Sequence, residues 1–101
     1  MKISILLPYK ENFSPEYAGA VSLFVKDTLK ISRYKKNTIV FGNTNYKKKF
    51  KINYQNLQIP KIFFQSQNKQ YVKKFISFEK KRNSDLIELH NRPIYLKYLI
   101  K

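Results

Sequence analysis

The chain of 101 residues is predicted to be an α/β protein: an open parallel sheet with helices on both faces, Rossmann-like. Three observations predict it. Residues 2–7 are a nearly unbroken apolar run, the pattern of a strand buried on both faces. Val21, Phe24, Val25, Thr28, Leu29 and Ser32 recur at helical spacing. A second apolar run, residues 38–41, follows closely, so strand, loop, helix and strand fit one βαβ unit. A right-handed crossover then makes the two strands parallel neighbours.

Each element has a local cause. Pro8 ends the first strand, and residues 9–18 form a polar loop in which Ser14 caps a single turn begun by Pro15. Gly19 opens a helix over residues 19–33, and Lys35-Lys36-Asn37 makes the turn after it. Gly42-Asn43 closes the second strand. Residues 44–60 mix aromatics and charge without a period and read as a solvated loop. The alternative is a basic aromatic surface for bases or lipid headgroups. Residues 62–64 are the third expected strand. Ser66 can cap a helix over residues 67–81, with Tyr71, Val72, Phe75, Ile76 and Glu79 on one face. Lys80-Lys81-Arg82 suits the negative end of that helix. Residues 86–89 are the fourth strand, and after Pro93 the residues Ile94, Tyr95, Tyr98 and Leu99 mark a short last helix.

The first strand is expected to be central, with the second and fourth on its two sides. Sheets average about five to six strands, so the chain reads as the front portion of a larger domain. The strand at 86–89 is then expected to lack one neighbour.

Composition narrows the function classes. The net charge is +15, but the cations are nearly all Lys, with Arg only at 33, 82 and 92. The chain is rich in Lys, Ile, Asn, Phe and Tyr, whose codons are AT-rich. The basic balance is therefore read as mainly compositional, with nonspecific affinity for polyanions. The absence of Cys removes disulfides and thiolate metal sites. No apolar run approaches the roughly 20 residues of a membrane span, and the first residues do not form a signal peptide. A cytoplasmic protein is expected, at most peripheral at the inner membrane face. With Gly19 and Gly42 the only glycines, no Walker or dinucleotide loop is possible. His90 stands alone among scattered carboxylates, so no metal and no cofactor is expected.

The segment Asp85-Leu86-Ile87-Glu88-Leu89-His90-Asn91-Arg92-Pro93 holds the best candidate site. Ligands of open parallel sheets sit just beyond the carboxyl ends of the strands, where His90, Asn91 and Arg92 arrive together. The residues by themselves leave two readings open: a site, or a polar loop whose imidazole bonds to backbone.

The opening Lys2-Ile3-Ser4-Ile5-Leu6-Leu7-Pro8-Tyr9, the stretch from Tyr17 to Val25 with Gly19-Ala20, the strand ending at Gly42, and Asp85 to His90 occur in the order and spacing of one family. The chain resembles the amino-terminal part of family 4 glycosyltransferases of the two-domain GT-B type. The resemblance runs, with gaps, over nearly the whole chain. It implies transfer of a hexosyl-type sugar from a nucleotide-sugar to a glycan or lipid-linked acceptor, as in polysaccharide biosynthesis, with retained anomeric configuration. It implies that Gly19 and Ala20 let backbone N–H groups approach the acceptor or sugar phosphate, consistent with the affinity of helix amino termini for anions. His90 would line the cleft as the catalytic residue, flanked by Asn91 and Arg92, with Arg92 on a phosphate or carboxylate. The family often has two glycines where this chain has Gly19-Ala20. The family's donor-binding second domain has no counterpart in these residues, so the chain by itself is expected to be inactive unless a second chain supplies that half. The competing reading is a small basic nucleic-acid-binding module, carried by the charge and the Lys-aromatic stretch at 46–54. No specific nucleic-acid motif is present.

Overall fold

The computed structural model describes residues 1–45, 49–59 and 67–90. Strand β1 (Ile3–Leu6) leads to helix α1 (Ala20–Lys30), then through a 3₁₀ turn at Lys35–Asn37 to β2 (Thr38–Gly42). Strand β3 (Tyr54–Asn56), helix α2 (Gln67–Arg82) and β4 (Leu86–Leu89) follow. The strands form one sheet in the order β3-β2-β1-β4, and every pairing is parallel. β1 is central with β2 and β4 beside it, as the sequence predicts.

Alternation along the strands divides the core in two. Ile5, Leu7 and Val40 face Val25 and Leu29 of α1, with Phe13 filling the same layer. Leu6 and Phe41 face Tyr71, Val72 and Phe75 of α2, with Leu57. Successive side chains of a strand point to opposite faces, so a strand covered by helices on both sides must be apolar throughout. That is why residues 2–7 carry no alternation.

The third strand is a correction. The sheet's third strand is Tyr54–Asn56, inside the stretch read as a solvated loop. It is short and polar, and its exposure pattern carries no hydrophobic signal. It exists because the preceding segment returns along β2: Val40 N–H donates to Asn53 O at 2.9 Å, and Leu57 N–H to Gly42 O at 2.7 Å. Phe50 and Ile52 pack on the α1 side and hold that return in place. The expected strand at 62–64, the Ser66 cap and the helix after Pro93 lie outside the described residues.

Phe24 also departs from expectation. It is not in the core but 62% exposed, on the flank of α1 that faces β4. Helix α2 ends as an αL cap, with Asn83 at φ 51° donating its N–H to Glu79 O at 2.7 Å.

Gly42 is required by packing. A Cβ there would lie 2.8 Å from the Tyr54 hydroxyl and 3.3 Å from Leu7. The Tyr54 ring cannot withdraw easily, because it stacks on Phe13 at 5.5 Å with planes 5° apart. Burial pushes the Tyr54 hydroxyl well above its ordinary pKa. The folded chain thus keeps this proton at pH values where the unfolded chain, titrating near about 10, has lost it. Its stabilising contribution is complete below about pH 10 and is lost as pH rises beyond that toward the folded value. Urea melts of the parent and Tyr54→Phe between pH 8 and 11 should show a steeper alkaline decline in the parent; parallel declines would refute the assignment.

Candidate functional site

The topology fixes where a site belongs. From β1 the chain crosses to β2 on one side and returns to β4 on the other, so the strand order reverses between β1 and β4. Ligands of such sheets bind at this reversal, beyond the carboxyl ends of the strands. His90 sits there, its N–H donating to Leu6 O at 3.3 Å. The loop from β1 to α1 leaves the same rim.

His90 is held on two sides. Its Nε2 lies 2.7 Å from Glu88 Oε2, and its side chain is 15% exposed. Its ring meets the edge of Phe24 at 6.3 Å. Glu88 pairs with Ile5 across the sheet, which sets both Glu88 and His90 on the α1 face. An ionised carboxylate only accepts hydrogen bonds, so Nε2 is the donor to Glu88. When the ring is neutral, Nδ1 is its acceptor. His90 is a rim residue rather than a core histidine: its imidazole meets the Glu88 carboxylate, and its backbone N–H donates to Leu6 O.

Gly19 is the N-cap of α1, in extended conformation at φ −77° and ψ 166°, and Ala20 is the first helical residue. The helix amino terminus is filled from within the chain. Glu11 Oε2 accepts from Ser22 N–H at 2.9 Å, and a Cβ on residue 19 would sit 2.7 Å from Glu11 Oε1 and nearer still to the rest of the carboxylate. The glycine therefore admits a carboxylate of the chain's own at the position where the sequence reading brings an external anion. An anionic ligand there has to displace Glu11. Replacing Glu11 by Ala should cost about 1 kcal/mol of stability, the scale of a lost N-cap, read as a lower urea midpoint. An unchanged midpoint would show that the carboxylate does not cap the helix.

Tyr9 and Lys10, which follow β1, diverge from His90. Tyr9 turns to the α2 side, bonding Gln67 Oε1 at 3.1 Å and meeting the Tyr71 ring at 5.4 Å. Lys10, at φ 66°, lines a separate cavity of about 280 Å³ with Asn12, Asn43, Thr44 and Asn45. This cavity opens at the carboxyl ends of β1 and β2. Thr44 Oγ1 donates to Asn12 Oδ1 at 2.7 Å, Thr44 N–H to Asn56 Oδ1 at 2.9 Å, and Asn43 Nδ2 to Leu57 O at 2.8 Å. Among the described residues its lining is amides, a hydroxyl and one cation, which suits neutral polyhydroxy or weakly anionic groups. The sequence reading missed it, since Asn is abundant throughout the chain. Asn91 and Arg92 lie outside the described residues.

Comparisons with protein-family models, with curated proteins and with solved structures gave no match. The reading of this site rests on its own geometry.

A basic surface lies at the other end of β2. Lys35, Lys36 and Lys51 surround a cavity of about 500 Å³ with Ile52 and Asn53. Lys26 lies 5.2 Å over the Phe50 ring and Lys49 6.0 Å over Tyr54. Among the described residues no three potential metal ligands gather, and no helix is long and apolar enough to cross a membrane.

Proposed function

We propose that this chain is the amino-terminal part of the acceptor-side domain of a GT-B, family 4 glycosyltransferase. The observation that carries the reading is a β1-centred parallel sheet whose strand order reverses beside His90, with Glu88 holding the imidazole. In this reading His90 Nδ1 accepts a hydrogen bond from a hydroxyl of the sugar or acceptor. The amide-lined cavity at Asn12 and Asn43 receives further hydroxyls of a glycan or lipid-linked acceptor. The nucleotide-sugar is held by a second Rossmann-like domain, in the same protein or in a second chain. Sugar transfer breaks the anomeric carbon–phosphate oxygen bond, forms the bond from that carbon to the acceptor oxygen, and releases the nucleoside diphosphate together with the proton of the acceptor hydroxyl. The exposed lysines favour peripheral contact with an anionic membrane, where a lipid-linked acceptor resides.

The test joins the chain to its donor-binding half and follows sugar transfer from nucleotide-sugars. His90→Ala should lower transfer by at least about tenfold, the scale of one well-placed polar contact at a reacting centre, with an unchanged melting midpoint. Loss of activity only through unfolding, or full activity in the variant, would remove His90 from the site.

The Lys35-Lys36-Lys51 surface, with cations over Phe50 and Tyr54, favours a second reading as a nucleic-acid-binding module. Tight binding of random single-stranded DNA with a steep salt slope would support that reading, and millimolar affinity would remove it.

A further inference from the structure

A cavity of about 370 Å³ lies between the last turn of α2 and the β2–β3 side of the sheet, toward the amino ends of the strands and away from His90. Its floor is apolar. Ile39 and Phe41 project from β2, and Phe78 of α2 meets the Phe41 ring at 5.9 Å. Phe41 is itself backed by Phe75 at 5.1 Å, so the floor is continuous with the core. Ile39 and Phe78 remain only half-buried, because nothing among the described residues covers them here.

The rim has the opposite chemistry. Lys2, Lys81 and Arg82 line it, and among the described residues no carboxylate does. Glu79 and Asp85, the acids nearest in sequence, are engaged by other groups: Glu79 accepts from Ser4 Oγ and from Ser84 N–H and Oγ, and Asp85 Oδ2 accepts from the Lys2 backbone N–H at 2.8 Å. Arg82 is fixed rather than loose. Its Nε donates to Ser4 Oγ at 3.0 Å, and its Nη2 to Ile3 O at 2.8 Å and Asn37 O at 2.7 Å, which leaves Nη1 without an acceptor among the described residues. Lys2 Nζ reaches only Arg82 O, at 3.4 Å. A rigid guanidinium between two lysines, with none of the three in an ion pair among the described residues, is an arrangement that an anion completes.

From this cavity we infer a binding site for a small amphipathic organic anion: a carboxylate, sulfonate or phosphate carried on a flat aromatic or short acyl body. The body covers Ile39, Phe41 and Phe78, and the anionic group meets Lys81, Arg82 and Lys2. The volume falls in the range of ligand pockets, roughly 300–1,000 Å³. Neither half of the chemistry suffices: the apolar floor gives no orientation, and exposed lysines bind isolated anions weakly in salt. The site stands independently of the glycosyl-transfer reading, since it lies at the opposite end of the strands.

The experiment titrates the full chain with anilinonaphthalene sulfonate and, separately, with phenylnaphthylamine, the same ring system without the sulfonate. Fluorescence gives affinity, and amide resonances in two-dimensional NMR give the site. The sulfonate should bind at least about tenfold more tightly than the neutral amine, as expected for a charge-assisted contact. Shifts should concentrate at Ile39, Gln55, Phe78 and Lys81. Lys81→Glu should weaken the sulfonate by about tenfold or more and leave the neutral amine unchanged. Lys81 is exposed and makes no ion pair among the described residues, so the variant should fold, and the retained dispersion of its resonances checks this. Lys36→Glu makes the same change in net charge outside the cavity and should alter affinity by less than about twofold. Equal binding of the two probes, equal effects of the two charge reversals, or shifts centred on Lys35, Lys36 and Lys51 would each overturn the proposal.

Discussion

Tyr71→Ala is expected to lower stability by about 3–5 kcal/mol, a large fraction of what a domain this size possesses. Tyr71 is fully buried on α2 in the layer with Leu6, Phe41 and Phe75. Its hydroxyl donates to Leu7 O at 2.7 Å and approaches Phe41 O at 3.4 Å. Those carbonyls stand at the carboxyl ends of β1 and β2, so one side chain both fills the core and ties α2 to the rim of the sheet. Truncation removes the packing and leaves the carbonyls without that donor. Tyr71→Phe separates the two contributions: it keeps the ring and should cost only about 1–2 kcal/mol. Urea denaturation with an unchanged slope provides the measurement. If the Ala and Phe variants melt together, the hydroxyl accounts for the whole effect and the packing argument fails.

The second large effect is expected at Glu79. Its carboxylate accepts from Ser4 Oγ and, on the other oxygen, from Ser84 N–H at 3.1 Å and Ser84 Oγ at 2.5 Å. Ser4 in turn accepts from Arg82, whose other bonds reach the backbone before β2 and within β1. The amino ends of β1, β2 and β4 are thus joined to the end of α2 through one connected set of polar groups. Glu79→Ala strands the buried Ser4 hydroxyl and the Ser84 donors, at about 2–3 kcal/mol. The effect should not add to that of Ser4→Ala, because the two residues share one network. A double-mutant cycle in urea decides it; strict additivity would show that the network is not a unit.

Much of the fold was legible in the chain, and for a common reason. Residues 2–7 and 38–41 are apolar without alternation because both their faces are covered, and a strand covered on both faces belongs to a parallel sheet between helices. The faces of α1 and α2 were legible from the 3.6-residue period. Tyr71, Val72 and Phe75 lie buried as that period requires. Phe24 satisfies the same period and yet is exposed, since periodicity cannot tell the centre of a helix's buried stripe from its flank. β3 was not legible: its Tyr-Gln-Asn sequence has no strand signal, and pairing with Val40, Phe41 and Gly42 creates it.

For the candidate site the division is similar. His90 at the end of β4 could be read from an apolar strand followed by a polar cluster. Its tether to Glu88 follows from strand alternation, which sets residues two apart on one face. Glu11 at the start of α1 could not be read. It arrives from a loop whose path is decided by Phe13 packing into the core and by the return of the chain to Gly19.

By itself, then, the sequence determined the secondary elements that bury apolar residues, the parallel class of the sheet, and the place of His90 at the carboxyl end of β4. These depend on local period and on which faces are covered, and both are written in the order of residue types. Only the tertiary structure decided the third strand, the carboxylate that fills the α1 amino terminus, the amide-lined rim cavity and the cationic cavity beside Phe78. Each of these joins residues far apart in the chain, and no local pattern records which polar groups the packing of two apolar layers brings together.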